Sequence, residues 1–304
     1  MVDGRLPFTS ESDPSTDARP RADTLWRRLS ADWSRRRPPR LASIVLLVLA
    51  TLAPPVLADP LADGKALAQR VHDRDRGKDL SWRGTMVLAE RGREPRVRNM
   101  FMHQVKLPGD ETRSLLRFTA PADVAGTGVV TIDYAKGNAD QWVYLPALKR
   151  SRRISADRRG GRFVGSDYYY EDLQVRKVSL DRHRHLGREK MFNADVDVLE
   201  SVPVDPSNSV YGKRVTWIHP GTLLPLRVDF FEPGGAEPLK RLLVHKIEKI
   251  QGYWTVTDTS MTDLKTGSQT RLVIERAVYD RGLPTSLFST AGLEDAGRET
   301  AYRP

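Results

Sequence analysis

Cysteine is absent from this 304-residue chain. That excludes disulfide stapling, thiol catalysis and an acylated N-terminal cysteine. Long apolar runs are scarce as well: the stretch at 41–53 (LASIVLLVLATLA) is thirteen residues, too short to cross a bilayer comfortably. There is no nucleophile elbow, no phosphate-cradling glycine loop and no Ser-His-Asp spacing, so hydrolytic and nucleotide chemistry have no visible centre. Acidic residues are in deficit, with 39 Asp and Glu against 49 Lys and Arg and a net charge of +10.

What is present begins with a leader. Arg35, Arg36, Arg37 and Arg40 precede the apolar stretch, and Pro54-Pro55-Val56-Leu57-Ala58 follows it. A basic flank, a short apolar core and a small terminal residue describe a secretory signal cut near Ala58. A single membrane anchor is the alternative. Residues 1–34 are polar without apolar periodicity and read as a long leader or the product of an upstream start codon. Residues 1–58 are thus an N-terminal extension and signal peptide, and 59–304 a single domain expected to be soluble in the periplasm. Removing the leader takes nine Arg and six acidic residues, leaving 40 basic and 33 acidic groups, net +7.

Residues 60–76 place Leu61, Leu67 and Val71 at helical spacing, closing near Gly77. The period then changes to two. Strands are expected at 81–90, 97–106, 111–119, 127–134, 141–145 and 149–154, and again at 188–200, 211–217, 224–231, 239–247, 253–262 and 269–277. One or two helical turns are expected at 167–173, and a short helix at 284–288. Arg91-Gly92-Arg93-Glu94-Pro95, Pro108-Gly109-Asp110, Pro220-Gly221 and Pro233-Gly234-Gly235 supply turns. Leu116 and Phe118 share one side of their strand, with Arg113 and Arg117 on the other, giving one dry face and one wet face. Eleven or twelve strands joined mostly by hairpins imply a mainly β protein, one large curved antiparallel sheet forming an open, incomplete barrel.

Three constellations are candidates for function. His183 and His185, two apart on a strand, point the same way as metal ligands would, but Arg182 and Arg184 repel a cation, and a solvated edge is the better account. Arg150, Arg152, Arg153, Arg158 and Arg159 form a basic cluster with Tyr168, Tyr169 and Tyr170. An exported protein rarely meets nucleic acid, so anionic headgroups or an acidic partner surface are the expected counter-charges. A solvated face neutralised by Asp157, Asp167, Glu171 and Asp172 is the plain alternative. The third constellation is apolar. Met86 and Leu88, Met100 and Met102, Leu116 and Phe118, Val130 and Ile132, and Trp142 and Tyr144 are expected to line one concave surface. Too few helices are available to fill it, which leaves room for a ligand, and methionine walls suit flexible acyl chains.

The order of these elements, with FTAPADVAGTGVVTIDY, QWVYLPALKRSRRI, FVGSDYYYEDL and RVTWIHPGTLLPLRVDFFEPGG, resembles the LolA-like outer-membrane lipoprotein-sorting proteins, in the branch found with RND or MMPL-type exporters. The resemblance covers roughly residues 80–278. It implies about eleven antiparallel strands wrapped around a helical lid, and a carrier of lipid or lipidated protein that works with an inner-membrane transporter. It supplies no catalytic residue, no metal and no cofactor, and implies no nucleic-acid partner; a monomer is expected. Residues 167–173 and the helix at 60–76 are the expected lid.

Overall fold

Asp59 accepts from Leu61 N at 2.9 Å and starts the helix α1 (Pro60–Asp73); a computed structural model describes the chain over residues 59–304. The expected signal peptide and its cleavage near Ala58 lie outside the described residues. Leu67 and Ala68 are buried on α1, whereas Leu61 is exposed. None of the described helices is long and apolar enough to cross a membrane.

Thirteen strands follow: β1 (Asp79–Ala89), β2 (Arg96–Leu107), β3 (Glu111–Ala120), β4 (Gly128–Asp133), β5 (Asp140–Leu145), β6 (Arg150–Arg153), β7 (Asp181–Met191), β8 (Ala194–Pro203), β9 (Lys213–Ile218), β10 (Pro225–Phe231), β11 (Pro238–Ile250), β12 (Tyr253–Asp263) and β13 (Gln269–Tyr279). They form one antiparallel sheet in the order β6-β5-β4-β3-β2-β1-β13-β12-β11-β10-β9-β8-β7. The mainly β, curved, unclosed sheet is the architecture expected from the two-residue period. The thirteenth strand comes from 181–203, where the sequence pattern offers one strand and the chain makes a hairpin. Its turn is Phe192-Asn193, both at positive φ (49° and 63°), the backbone that two-residue hairpins need but without the usual glycine.

Every neighbouring pair in the sheet is also a neighbour in sequence except β1 and β13, which join the two halves at the centre. The open edges, β6 and β7, are connected by residues 154–180. This connector contains the SDYYYEDL motif and packs on the inner face of the sheet, where Phe163, Tyr168 and Tyr170 join Trp82, Met86, Met100 and Phe118 in the largest core cluster. The helix expected at 167–173 is one 3-10 turn, Tyr170–Leu173.

The outer face of β2–β5 is not wet. Leu283, Leu287, Phe288 and Leu293, from the segment after β13 and the helix α2 (Thr290–Glu294), cover Val105, Leu115 and Val130. Each such burial contributes about 1.5–3 kcal/mol. Arg117, expected in solvent, is 2 % exposed and pairs with Glu299 at 2.9 Å. It also donates to the carbonyls of Gly126 (3.0 Å) and Leu293 (2.8 Å), so its charge is buried with its donors occupied.

Candidate functional site

The inner face holds two cavities separated by Tyr168 and Asp172. The first, about 200 Å³, lies on β1–β4 and β13, walled by Met86, Met100, Met102 and Leu116, with Tyr168 and Leu173 on the connector side. Leu88 and Phe118 belong to the packed core beside it. These six residues fall on the face that strand alternation assigns them. Val130, Ile132, Trp142 and Tyr144 do not; they belong to the outer cluster. The cause is register. Leu116 pairs with Val129, and Val129 with Val143, so these bring the inner face across to β5, while Val130 pairs with Leu115 and Trp142 on the outside. One residue of slip reverses a strand's faces, and both faces of β4 are apolar.

The second cavity, about 410 Å³, lies on β7–β12 beneath α1 and residues 174–178. Val228, Leu242 and Met261 supply apolar wall, and five cations (Arg74, Arg76, Arg176, Lys177 and Arg214) line it against three carboxylates, Glu171, Asp172 and Asp181. Gly64 sets how closely α1 sits on β7: a Cβ there would lie 2.7 Å from the backbone of Arg184. Sequence pattern missed this cavity because its cations come from a helix end, a loop and a strand remote from one another.

The connector is tied down by its own acids. Asp167 accepts from Ser268 Oγ (2.6 Å), Thr270 Oγ1 (2.7 Å) and Arg162 Nη2 (2.5 Å). Glu171 accepts from Ser209 Oγ (2.6 Å) and Val210 N (2.7 Å). Asp172 accepts from Tyr169 N (2.6 Å), Tyr211 Oη (2.7 Å) and Lys240 Nζ (2.5 Å). Lys240 is 1 % exposed and sits 3.5 Å from the centre of the Tyr169 ring. Burial pulls its pKa down and pushes that of Tyr211 well above the ordinary value, which Asp172 reinforces.

The tyrosines therefore do not interleave with the basic cluster on one surface. Tyr168 is buried and pairs its hydroxyl with Thr259 (3.2 Å), Tyr169 stacks on Tyr211, and Tyr170 meets the edge of Phe163. Burial raises Tyr168 to about 12. Arg159 is buried as well, donating to the carbonyls of Asn208 (2.8 Å) and Ser207 (3.2 Å). Arg150, Arg152 and Arg158 are exposed, and Arg153, also exposed, pairs with Asp140. Of the four acids expected to neutralise the cluster, Asp167 pairs with Arg162, while Glu171 and Asp172 serve the connector. His183 is a buried histidine rather than part of a solvated edge: Nε2 donates to the Val178 carbonyl and Nδ1 accepts from Ser201, both at 2.9 Å. Among the described residues no cluster of three metal-ligating side chains occurs.

Comparison with known proteins places this geometry. A family model described as "-like: Uncharacterized protein" matches residues 110–295. A solved domain from Vibrio parahaemolyticus, described as an outer membrane lipoprotein-sorting protein, is 34 % identical over 77 % of this chain and 100 % of its own, with a TM-score of 0.73. A DUF1329 family protein from Desulfovibrio piger is 31 % identical over 78 % of this chain and 100 % of its own, TM-score 0.74. The chain belongs to the outer membrane lipoprotein-sorting (DUF1329) family of these two relatives. A LolA superfamily protein from Nitrosomonas europaea, 21 % identical over 77 % of this chain and 100 % of its own, shares the fold at a TM-score of 0.60. No curated protein sequence matches. In this lipoprotein-sorting family member the tyrosine-rich motif is the part of the connector that divides the inner face.

Proposed function

We propose that the protein is a periplasmic carrier that takes the acyl moiety of a lipoprotein, or another lipid, into the inner face and moves it between the inner and outer membranes. The observation that carries this reading is the methionine-walled cavity left open beneath Tyr168 and Leu173. Methionine adapts to irregular chains, and each methylene buried contributes about 0.8 kcal/mol. An unopposed long chain would bind too tightly to be handed on. The rings of Phe163, Tyr168 and Tyr170 occupy the same face, so cargo entry displaces them and lowers net affinity to a releasable range. In this reading residues 167–173 and α1 act as the lid, and an inner-membrane RND or MMPL-type transporter supplies the cargo to a monomer. Catalysis, a metal and a cofactor play no part in it.

A second reading is an accessory subunit of such a transporter with a filled core, favoured by Phe118 and Phe163, both 0 % exposed and stacked 5.4 Å apart. Native mass spectrometry of the exported protein, purified without detergent, distinguishes the two. Lipid or acylated peptide bound near one-to-one supports the carrier. A clean apo mass, with no uptake of added lipid and no brightening of a solvatochromic dye, supports the filled core. Photocrosslinkers at Leu173 and Val71 test the lid: labelling that is the same with and without cargo removes it.

A further inference from the structure

The larger cavity carries cations whose hydrogen-bonding capacity is unspent. Two of its five are occupied. Arg176 makes a two-pronged contact with Asp181 (2.8–3.0 Å) and donates to Asn208 Oδ1 (2.7 Å), and Lys177 lies 3.2 Å from Asp110. The other three are matched less fully. Arg74 and Arg76 have no carboxylate within 4.0 Å among the described residues. Arg76 donates to the His72 carbonyl, and both arginines are half-buried beside one another, with Asp110 and Asp73 the carboxylate charges acting on Arg76. Burial, and then the like charge of Arg76, bring Arg74 down to about 10. Arg214 Nη2 reaches Ser209 Oγ at 3.2 Å but stands 3.6 Å from Glu171 and 3.9 Å from Asp181. Its buried Nε has no hydrogen-bond partner.

A guanidinium offers five donors in a planar fork that fits phosphate oxygens. Withdrawing several from water beside one another, with carboxylates only at long range, is unfavourable unless something else meets them. The same cavity presents Val228, Leu242 and Met261. Cations next to apolar wall match an amphiphile, with its anionic group at the arginines and its chain toward the sheet.

Resting on the carrier reading above, we infer that Arg74, Arg76 and Arg214 form a site for the phosphate of an anionic acylated lipid, and that the β7–β12 half of the inner face is a headgroup pocket. Arg176 and Lys177 serve as its fixed, already paired surround. Free phosphate shares the headgroup chemistry but makes no use of the apolar wall.

The test titrates the full chain, exported and detergent-free, with dihexanoyl phosphatidylglycerol, the matching uncharged diacylglycerol and inorganic phosphate. The expected result is phosphatidylglycerol binding at least about tenfold tighter than the diacylglycerol, the difference expected from charge-assisted hydrogen bonds. That preference should vanish in Arg74→Gln/Arg76→Gln, survive in Arg74→Lys, and fall with added salt, while melting temperature confirms that each variant folds. Equal binding of both lipids, unchanged in the double variant, overturns the headgroup pocket and leaves the carrier intact. Inorganic phosphate binding as tightly as phosphatidylglycerol overturns it in favour of a simple anion site. Failure of both lipids to bind overturns the carrier reading and this inference together.

Discussion

Met86, Met100 and Met102 face one half of the inner surface, whereas Arg214 and His183 face the other, and the Asp172–Lys240 pair stands between. The halves are built from the same antiparallel strands, yet they handle burial differently. β1–β4 bury one guanidinium, Arg117, matched by Glu299 and two carbonyls, and push two other groups toward their neutral forms: desolvation raises Asp133 to about 6 and lowers His103 to about 4. The β7–β12 half keeps charged guanidiniums beside an apolar wall. Neutralising a buried group avoids the cost of desolvating a charge. In the β7–β12 half Arg74 and Arg76 have no carboxylate within 4.0 Å among the described residues, the arrangement expected of the headgroup pocket inferred above.

The largest expected effect comes from removing what divides them. Lys240→Met leaves Asp172 buried with only Tyr211 and the Tyr169 amide as donors. It should cost about 3–5 kcal/mol in denaturant unfolding; a loss under 1 kcal/mol would mean the two cavities are not held apart by this pair. Next, Met100→Ala in the neutral half should cost about 2–5 kcal/mol and enlarge that cavity. Undiminished stability there would show that cavity to be already slack.

These two desolvated groups set pH dependences of opposite sign. Between about 4 and 6.5 the unfolded chain takes up a proton at His103 that the folded chain refuses, so that contribution is complete above 6.5 and is lost as pH falls. Between 3.8 and about 6 the folded chain holds a proton at Asp133 that the unfolded chain releases, so that contribution is complete below 3.8 and is lost as pH rises. Each is worth about 3 kcal/mol at most, and in the shared window they offset one another. Relative to the parent, Asp133→Asn should make unfolding free energy rise more steeply from pH 4 to 6, and His103→Gln should make it fall. The same slope in both variants would contradict the burial of these groups as neutral species. The smallest effect is Arg74→Gln, within about 0.5 kcal/mol of the parent or slightly stabilising, because it removes a desolvated charge facing Arg76. A larger loss would assign Arg74 to the scaffold.

The architecture was legible from periodicity and from turns such as Pro220-Gly221, since strands with one buried face alternate whatever they later pack against. What escaped depended on contacts between strands. Phe192-Asn193 hides a hairpin because the turn lacks glycine or proline. Val130, Ile132, Trp142 and Tyr144 were drawn to the wrong face because alternation within a strand does not fix which of two apolar faces points inward; only pairing with Leu115 does. Arg117 looked solvent-bound because nothing local announces that Leu287 and Phe288 will cover it. The motif at 166–173 was conspicuous, but its Asp167 binds Ser268 and Thr270, 101 and 103 residues away. Arg74 and Arg76 were expected inside the helix at 60–76, whereas the helix ends at Asp73 and leaves both beyond its last turn.

The seam between β1 and β13 bears on the order of assembly. Leu80 pairs with Tyr279 and Ala89 with Gln269, the opposite extremes of the sheet-forming sequence. All other ladders join sequence neighbours, so both meanders can zip up locally while their union waits on closure of a very long loop. A chain halted before Gln269 would hold two half-sheets with raw edges, prone to sticking, and no enclosed interior. The inner face is thus the last thing completed, and under the carrier reading an incomplete polypeptide offers no place for cargo. Pulse-labelled hydrogen exchange during refolding should find the amides of β1 that bond to β13 protected after those of the hairpins; simultaneous protection would contradict this order.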